Sequence, residues 1–236
     1  MKTFKTLFVL ILVSVIGINT TFAGNNNETE IREVKKFNSI KVSEGIDLYI
    51  TMGNTEEVKI VANEDIIDDL ITEVKDGTLR IYMKDSNWFN WNRNRSRKAY
   101  VTIKELVAIT ASSGADVRSE NTLKGESLKV KASSGSDVEI DVFYKNFSLD
   151  TSSGSDAKVS GKTKTFEAEA SSGSDIKAQN LESTICKLRA SSGSDITVKV
   201  SDELYAKASS GADIRYYGNP DIRDIDESSG GDVTQK

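Results

Sequence analysis

Seven aspartates, Asp116, Asp137, Asp156, Asp175, Asp195, Asp213 and Asp232, each follow the phrase Ser-Ser-Gly and one small residue. A carboxylate that recurs at a fixed offset is a candidate oxygen ladder for a hard cation such as Ca²⁺. The phrase shares only its Gly-x-Asp core with calcium-binding nonapeptide repeats, and it lacks their doubled glycines and their period of about nine residues. The competing reading is structural: each Asp accepts hydrogen bonds from serine hydroxyls or turn amides and so fixes a tight corner. We take the structural corner as the expectation and keep the column from Asp116 to Asp213 as the metal alternative. No cofactor is expected.

The chain contains no histidine, which removes Ser-His-Asp and Cys-His catalysis and the usual zinc sites. Its serines are stacked repeats with no base beside them. Glycoside hydrolysis needs only two carboxylates, so residue type alone leaves a polysaccharide-acting enzyme open. An active site interrupts a repeat with unlike residues, however, and these repeats stay uniform, so the expectation is a protein that is not an enzyme. Cys186 is the lone cysteine and falls on the apolar side of its repeat, where a small buried hydrophobe is expected. The compositional outlier is DSNWFNWNRNRSRK, residues 85–98, which holds both tryptophans of the chain. Trp88, Phe89 and Trp91 offer stacking area, and Arg93, Arg95 and Arg97 offer partners for carboxylates, so this stretch is the candidate ligand-binding loop. Its competing reading is a long solvated loop whose aromatics fold back on the body of the protein.

These residues are positioned by a repeat. The corner glycines Gly114, Gly135, Gly154, Gly173, Gly193, Gly211 and Gly230 stand 21, 19, 19, 20, 18 and 19 residues apart. A nearly fixed period of about 20 residues marks a solenoid, in which no coil can bury its apolar face alone. Aligned on the glycines, apolar residues recur on alternate positions, as in Leu128, Val130 and Ala132 before Gly135 and Val138 and Ile140 after it. Period-two alternation predicts strands with one face in and one out, and equal repeats stack like on like, in parallel and in register. Residues that flank each glycine are small, as a tight corner requires. Like charges stacked about 4.8 Å apart repel by about 0.9 kcal/mol in water, so the aspartate column needs a compensating interaction.

In chain order, residues 1–23 read as a secretory signal peptide: Lys2 and Lys5, an apolar run from Leu7 to Ile18, then a polar stretch ending Thr-Phe-Ala. Its loss leaves no transmembrane segment and takes the formal charge from −5 to −7, since two lysines and no acid are removed. That balance argues against nucleic acid as a partner. Residues 24–36 read as a flexible lead-in, 37–105 as irregular first coils and 106–236 as seven regular coils, all of 37–236 forming one domain. Ile66, Ile67, Leu70, Ile71 and Val74 follow helical spacing and predict one short helix that caps the open end. The last coil is weak, with Arg223 and Glu227 at inward offsets, and Tyr216 to Pro220 reads as the closing cap.

The opening FNSIKVSEGIDLYITMG, the stretch ANEDIIDDLITEVKDGTLRIYMK, the recurring ASSGSD and the closing YYGNP together resemble the bacterial family known as putative auto-transporter adhesin, head GIN domain. The resemblance covers residues 37 to 233. It implies an all-β, right-handed parallel β-helix on an exported protein typical of Bacteroidota, and it transfers no catalytic residues. An auto-transporter head is followed by a membrane barrel, whereas this chain stops at Lys236, so surface delivery by another route or residence in the periplasm or at the outer membrane is expected. The functional expectation is an adhesin-like binding protein whose partner is a polysaccharide or an envelope protein. The alternative is a structural or assembly component of the envelope. Oligomeric state is left open.

Overall fold

Alternating apolar residues can bury one face of every strand in a shared core only if successive coils lie directly over one another. The computed structural model, which describes residues 27–84 and 95–236, has this arrangement. Its strands in chain order are β1 (Asn27–Arg32), β2 (Ser39–Val42), β3 (Asp47–Met52), β4 (Glu57–Asn63), β5 (Leu70–Lys75) and β6 (Thr78–Met83). There follow β7 (Arg97–Ile103), β8 (Ala108–Ala111), β9 (Asp116–Ser119), β10 (Leu123–Ser133), β11 (Asp137–Ser152) and β12 (Asp156–Ser171). The last are β13 (Asp175–Ser191), β14 (Asp195–Ser209), β15 (Asp213–Tyr217), β16 (Ile222–Ser228) and β17 (Asp232–Gln235). Together they wind a parallel β-solenoid of about 7 turns with coils of about 19 residues.

Two sheet faces result. Face A stacks β7, β3, β9 and the first parts of β11 to β14, then β15 and β17; face B stacks β6, β2, β8 and the later parts of β10 to β14, then β16. The Ser-Ser-Gly corner carries the chain from face B to face A. A second corner, within the long strands, carries it back.

Along face B register is kept residue for residue. Phe147, Phe166, Cys186 and Leu204 occupy successive rungs, and the rings of Phe147 and Phe166 stack at 5.3 Å with 6° between their planes. Each fully buried side chain of this size contributes about 1.5–3 kcal/mol, so a uniform column of them accounts for a core with no centre. Cys186 is wholly buried, and desolvation pushes its thiol up to about 12, the state of an inert hydrophobe.

The N-terminal end departs from the repeat. Strand β7 lies between β3 and β4, while β4 pairs antiparallel with both β7 and β1. Residues 27–32 are therefore a paired edge strand and not the flexible lead-in expected of them, because Thr29 and Ile31 alternate with charged neighbours along the β4 edge. The short helix is a single 3-10 turn, Ile67–Asp69, and the rest of the helically spaced stretch is β5. Asp76 and Gly77, at φ 51° and 72°, form the type I′ turn that folds β5 onto β6, and this hairpin outcompetes the helix.

At the other end β16 and β17 continue the parallel register, so the residues 216–220 make the second corner of a final coil. Arg223 and Glu227 sit opposite Leu204 and Ala208, at inward rungs. Glu227 accepts the Val233 amide at 2.7 Å and Arg223 donates to Gln235 at 3.4 Å, so polar side chains lie across the open end of the core.

Candidate functional site

The repeated corner reverses direction with two consecutive left-handed residues, such as Ser134 at φ 56° and Gly135 at φ 68°. That pair defines a type I′ turn. A Cβ on Gly135 would meet nothing within 4 Å, so conformation and not space demands the glycine. The small residue after it points inward and is fully buried where it is serine. Ser155 Oγ accepts the Ser152 amide at 3.1 Å and donates to the Ala132 carbonyl of the preceding coil at 2.9 Å. Ser136 and Ser194 repeat this with the Ala111 and Ala170 carbonyls, and Ser174 pairs with the Thr151 hydroxyl at 3.0 Å. The inward serine is fully buried and must be satisfied, so its bonds tie each corner to the coil before it, and the Asp116 carboxylate adds a bond from the backbone of Asp137 in the next coil.

The aspartates form an outward column of eight consecutive rungs, Asp47 joining the seven corner residues. Cations two positions further along the chain neutralise part of it. Arg215 donates to Asp213 at 2.7 Å and to Asp195 at 3.1 Å, which raises its own pKa. Lys177 stands 3.8 Å from Asp175 and 4.0 Å from Asp156. Asp116 is raised by desolvation and then by Asp137 and Asp47. Among the described residues no three His, Cys, Asp or Glu side chains converge as a metal site would require.

One corner is enlarged. Residues 84–96 stand between β6 and β7, where the neighbouring coil has only Ser43 to Ile46 between β2 and β3. Trp88, Phe89, Trp91 and Arg93 lie outside the described residues. The feet of the segment are tied down. Glu44, at the position of the corner serine, accepts the Met83 amide at 2.6 Å; the Asp69 carbonyl accepts the Lys84 amide at 2.7 Å; Asn63 accepts the Ser96 amide at 2.7 Å. Arg95 pairs with Asp65 at 2.7 Å. Arg97 is only 8% exposed, and burial followed by the charge of Arg95 lowers its pKa, so it faces away from a ligand in solvent.

Sequence reasoning missed the aromatic rungs beside these feet. Tyr49 and Tyr100 stack at 4.9 Å with 14° between planes, and Lys59 and Lys98 lie 4.6 and 5.9 Å from the Tyr100 and Tyr49 ring centres. Only the insertion of β7 beside β3 makes them neighbours. Each ring has one face against the other, and Lys59 lies over the Tyr100 ring. On face B an open trough of about 690 Å³ runs over paired charges, including Lys187 with Glu167 at 3.2 Å and Lys207 with Asp226 at 2.6 Å. Such an array offers ionic and hydrogen-bonding contacts at regular intervals.

Comparison with known proteins places this geometry. The family described as putative auto-transporter adhesin, head GIN domain, matches residues 36–220. The solved structure of a putative adhesin from Bacteroides fragilis superposes with a TM-score of 0.83 at 21% identity, covering 90% of this chain and 98% of that one. A putative adhesin from Parabacteroides distasonis gives 0.71 at 19% identity, covering 89% and 98%. A protein of the same organism described as a putative lipid binding protein gives 0.68 at 18% identity, covering 89% and 97%. These likenesses establish the shared fold. No curated protein matches. Since the family match spans well over half its length, the chain belongs to the putative auto-transporter adhesin, head GIN domain family.

Proposed function

We propose that this chain is an exported, non-enzymatic binding protein of the cell envelope, which presents the enlarged corner and its adjoining ladders to a polysaccharide. The observation that carries the reading is the pinned base of residues 84–96. Glu44, Asp69, Asn63 and Asp65 all engage the feet of a segment that interrupts an otherwise minimal corner. Insertions into a solenoid gather where it binds, and Trp88, Phe89, Trp91 and Arg93 have the chemistry to stack on and hydrogen-bond to sugars. The family's description as an adhesin supports the same direction. Absence of histidine and the uniform corners argue for binding without catalysis.

A glycan array probed with wild type and with a Trp88→Ala/Trp91→Ala variant tests this reading. Wild type is expected to retain at least one glycan class, and the variant to lose it by about tenfold or more, as for a truncated hot spot. Equal signals from the two proteins, or none from wild type, overturn it. Surface protease shaving of producing cells adds the location, since an adhesin must be cleaved on intact cells.

A further inference from the structure

The repeat compares the chain with itself, coil against coil, and the two corners behave differently. The Ser-Ser-Gly corner is nearly invariant. The register shifts lie toward the second corner, between Lys158 and Ser160, Ala178 and Glu182, and Ser183 and Ile185. Bulges of this kind gather at functional edges. Two glycines there, Gly161 at φ 111° and Gly218 at φ 108°, are required by space as well as conformation, because a Cβ would lie 2.0 Å from the Val142 and Val200 carbonyl oxygens.

The outward column of this corner is Lys124, Phe143, Lys162, Glu182, Lys199 and Tyr217, on consecutive rungs. A lysine returns on every second rung, about 10 Å apart. Phe143 is 60% exposed and Tyr217 43%, so two of the large apolar side chains left in solvent share one line. Lys145 and Lys164 stand exposed beside it. Glu182 reaches Lys162 at 3.9 Å and Lys199 at 3.7 Å, contacts that hold exposed charges only weakly. A hollow of about 510 Å³ opens here between Lys162, Glu182, Lys199 and Asn219. This lysine-rich ridge runs along a chain whose formal charge is −5, across the coil from the aspartate column.

We infer that the second corner is a binding ridge for a linear acidic polysaccharide in which a charged sugar alternates with an uncharged one. The lysines meet the carboxylates at the two-rung period, and Phe143 and Tyr217 meet the apolar faces of the sugars between. The inference rests on the polysaccharide reading above but uses a surface distinct from the enlarged corner. An anionic membrane would satisfy the lysines without the period.

The test is biolayer interferometry of the full chain against hyaluronan oligosaccharides, neutral chitin oligosaccharides of equal length, and phosphatidylglycerol vesicles. It is run at about 10 and about 150 mM NaCl, where the Debye length falls from about 30 to about 8 Å. Hyaluronan is expected to bind more tightly at low salt and to lose about tenfold or more in Lys162→Gln/Lys199→Gln. Phe143→Ser is expected to lose several-fold at both salts, and Trp88→Ala/Trp91→Ala to leave hyaluronan binding unchanged. No binding of hyaluronan by wild type, equal binding by the Lys162→Gln/Lys199→Gln variant, or binding to vesicles alone overturns the ridge. Chitin binding that depends only on the tryptophans, with no binding of hyaluronan, overturns the ridge while upholding the broader reading.

Discussion

Asp116 bears the stacking of like charges most directly, with Asp47 on one side and Asp137 on the other. Desolvation and then those two neighbours raise its pKa above the ordinary 3.8. A carboxyl whose folded pKa exceeds its unfolded value contributes stability that is present at low pH and lost as pH rises through the folded pKa. Asp116→Asn should therefore raise the melting temperature near pH 7, and the advantage should shrink as the pH falls toward 3.8, where wild-type Asp116 is itself becoming neutral. Melting curves at both pH values decide the matter, and an advantage independent of pH counts against it. Glu139 has the opposite sign: Lys158, bonded at 2.7 Å, lowers its pKa below 4.5, so its contribution is lost as pH falls through that lowered value. The aspartate column was legible in the sequence because its spacing is regular. What answers its charge was not, since Arg215 and Lys177 are ordinary alternating positions until register sets them against particular carboxylates. Burial of Arg97 was equally hidden, for nothing in a run of alternating arginines says which of them turns inward.

Among elements, the ends of the column carry what the repeat cannot. Unpaired strand edges invite further strands, and charged residues aimed inward are one way a sheet resists that. Strand β16 does this with Arg223 and Glu227, which occupy core rungs yet are exposed because no coil covers them. Replacing both, as Arg223→Leu/Glu227→Leu, is expected to make the last coil resemble those before it and to promote end-to-end association. Light scattering over a range of concentrations should show a rising mass for the variant and a smaller rise or none for wild type. Identical behaviour would mean that the polar end does not restrain assembly. The inward offsets of Arg223 and Glu227 could be read from the alignment on glycines. The N-terminal arrangement could not, because β7 passes between β3 and β4 and stacking order there departs from chain order. For the same reason helical spacing misled over β5, where an Asp-Gly turn and a waiting β6 edge made a hairpin the better use of those apolar residues.

For the whole molecule, stability is close to a sum of coils and of the interfaces between them, so one period should be removable. Excision of residues 156–174 joins Ser155 to Asp175 and preserves the corner phrase, leaving β11 to pair with β13 through apolar rungs of the same kind. It removes the rung of Phe166 and the bond from Ser174 to Thr151. The shortened chain is expected to keep its β-sheet circular dichroism and to unfold cooperatively at a modestly lower temperature. Binding answers a different question. The excision deletes Lys162 and sets Phe143 directly against Glu182, so the ridge lysines no longer return on every second rung. If register is what recognises an alternating acidic glycan, hyaluronan affinity should fall by about as much as in the Lys162→Gln/Lys199→Gln variant, although Lys124 and Lys199 remain. Retained affinity in a folded, shortened protein would show that the lysines act as a diffuse charge, because a solenoid can lose a coil without losing its fold but cannot do so without changing the spacing of everything it displays.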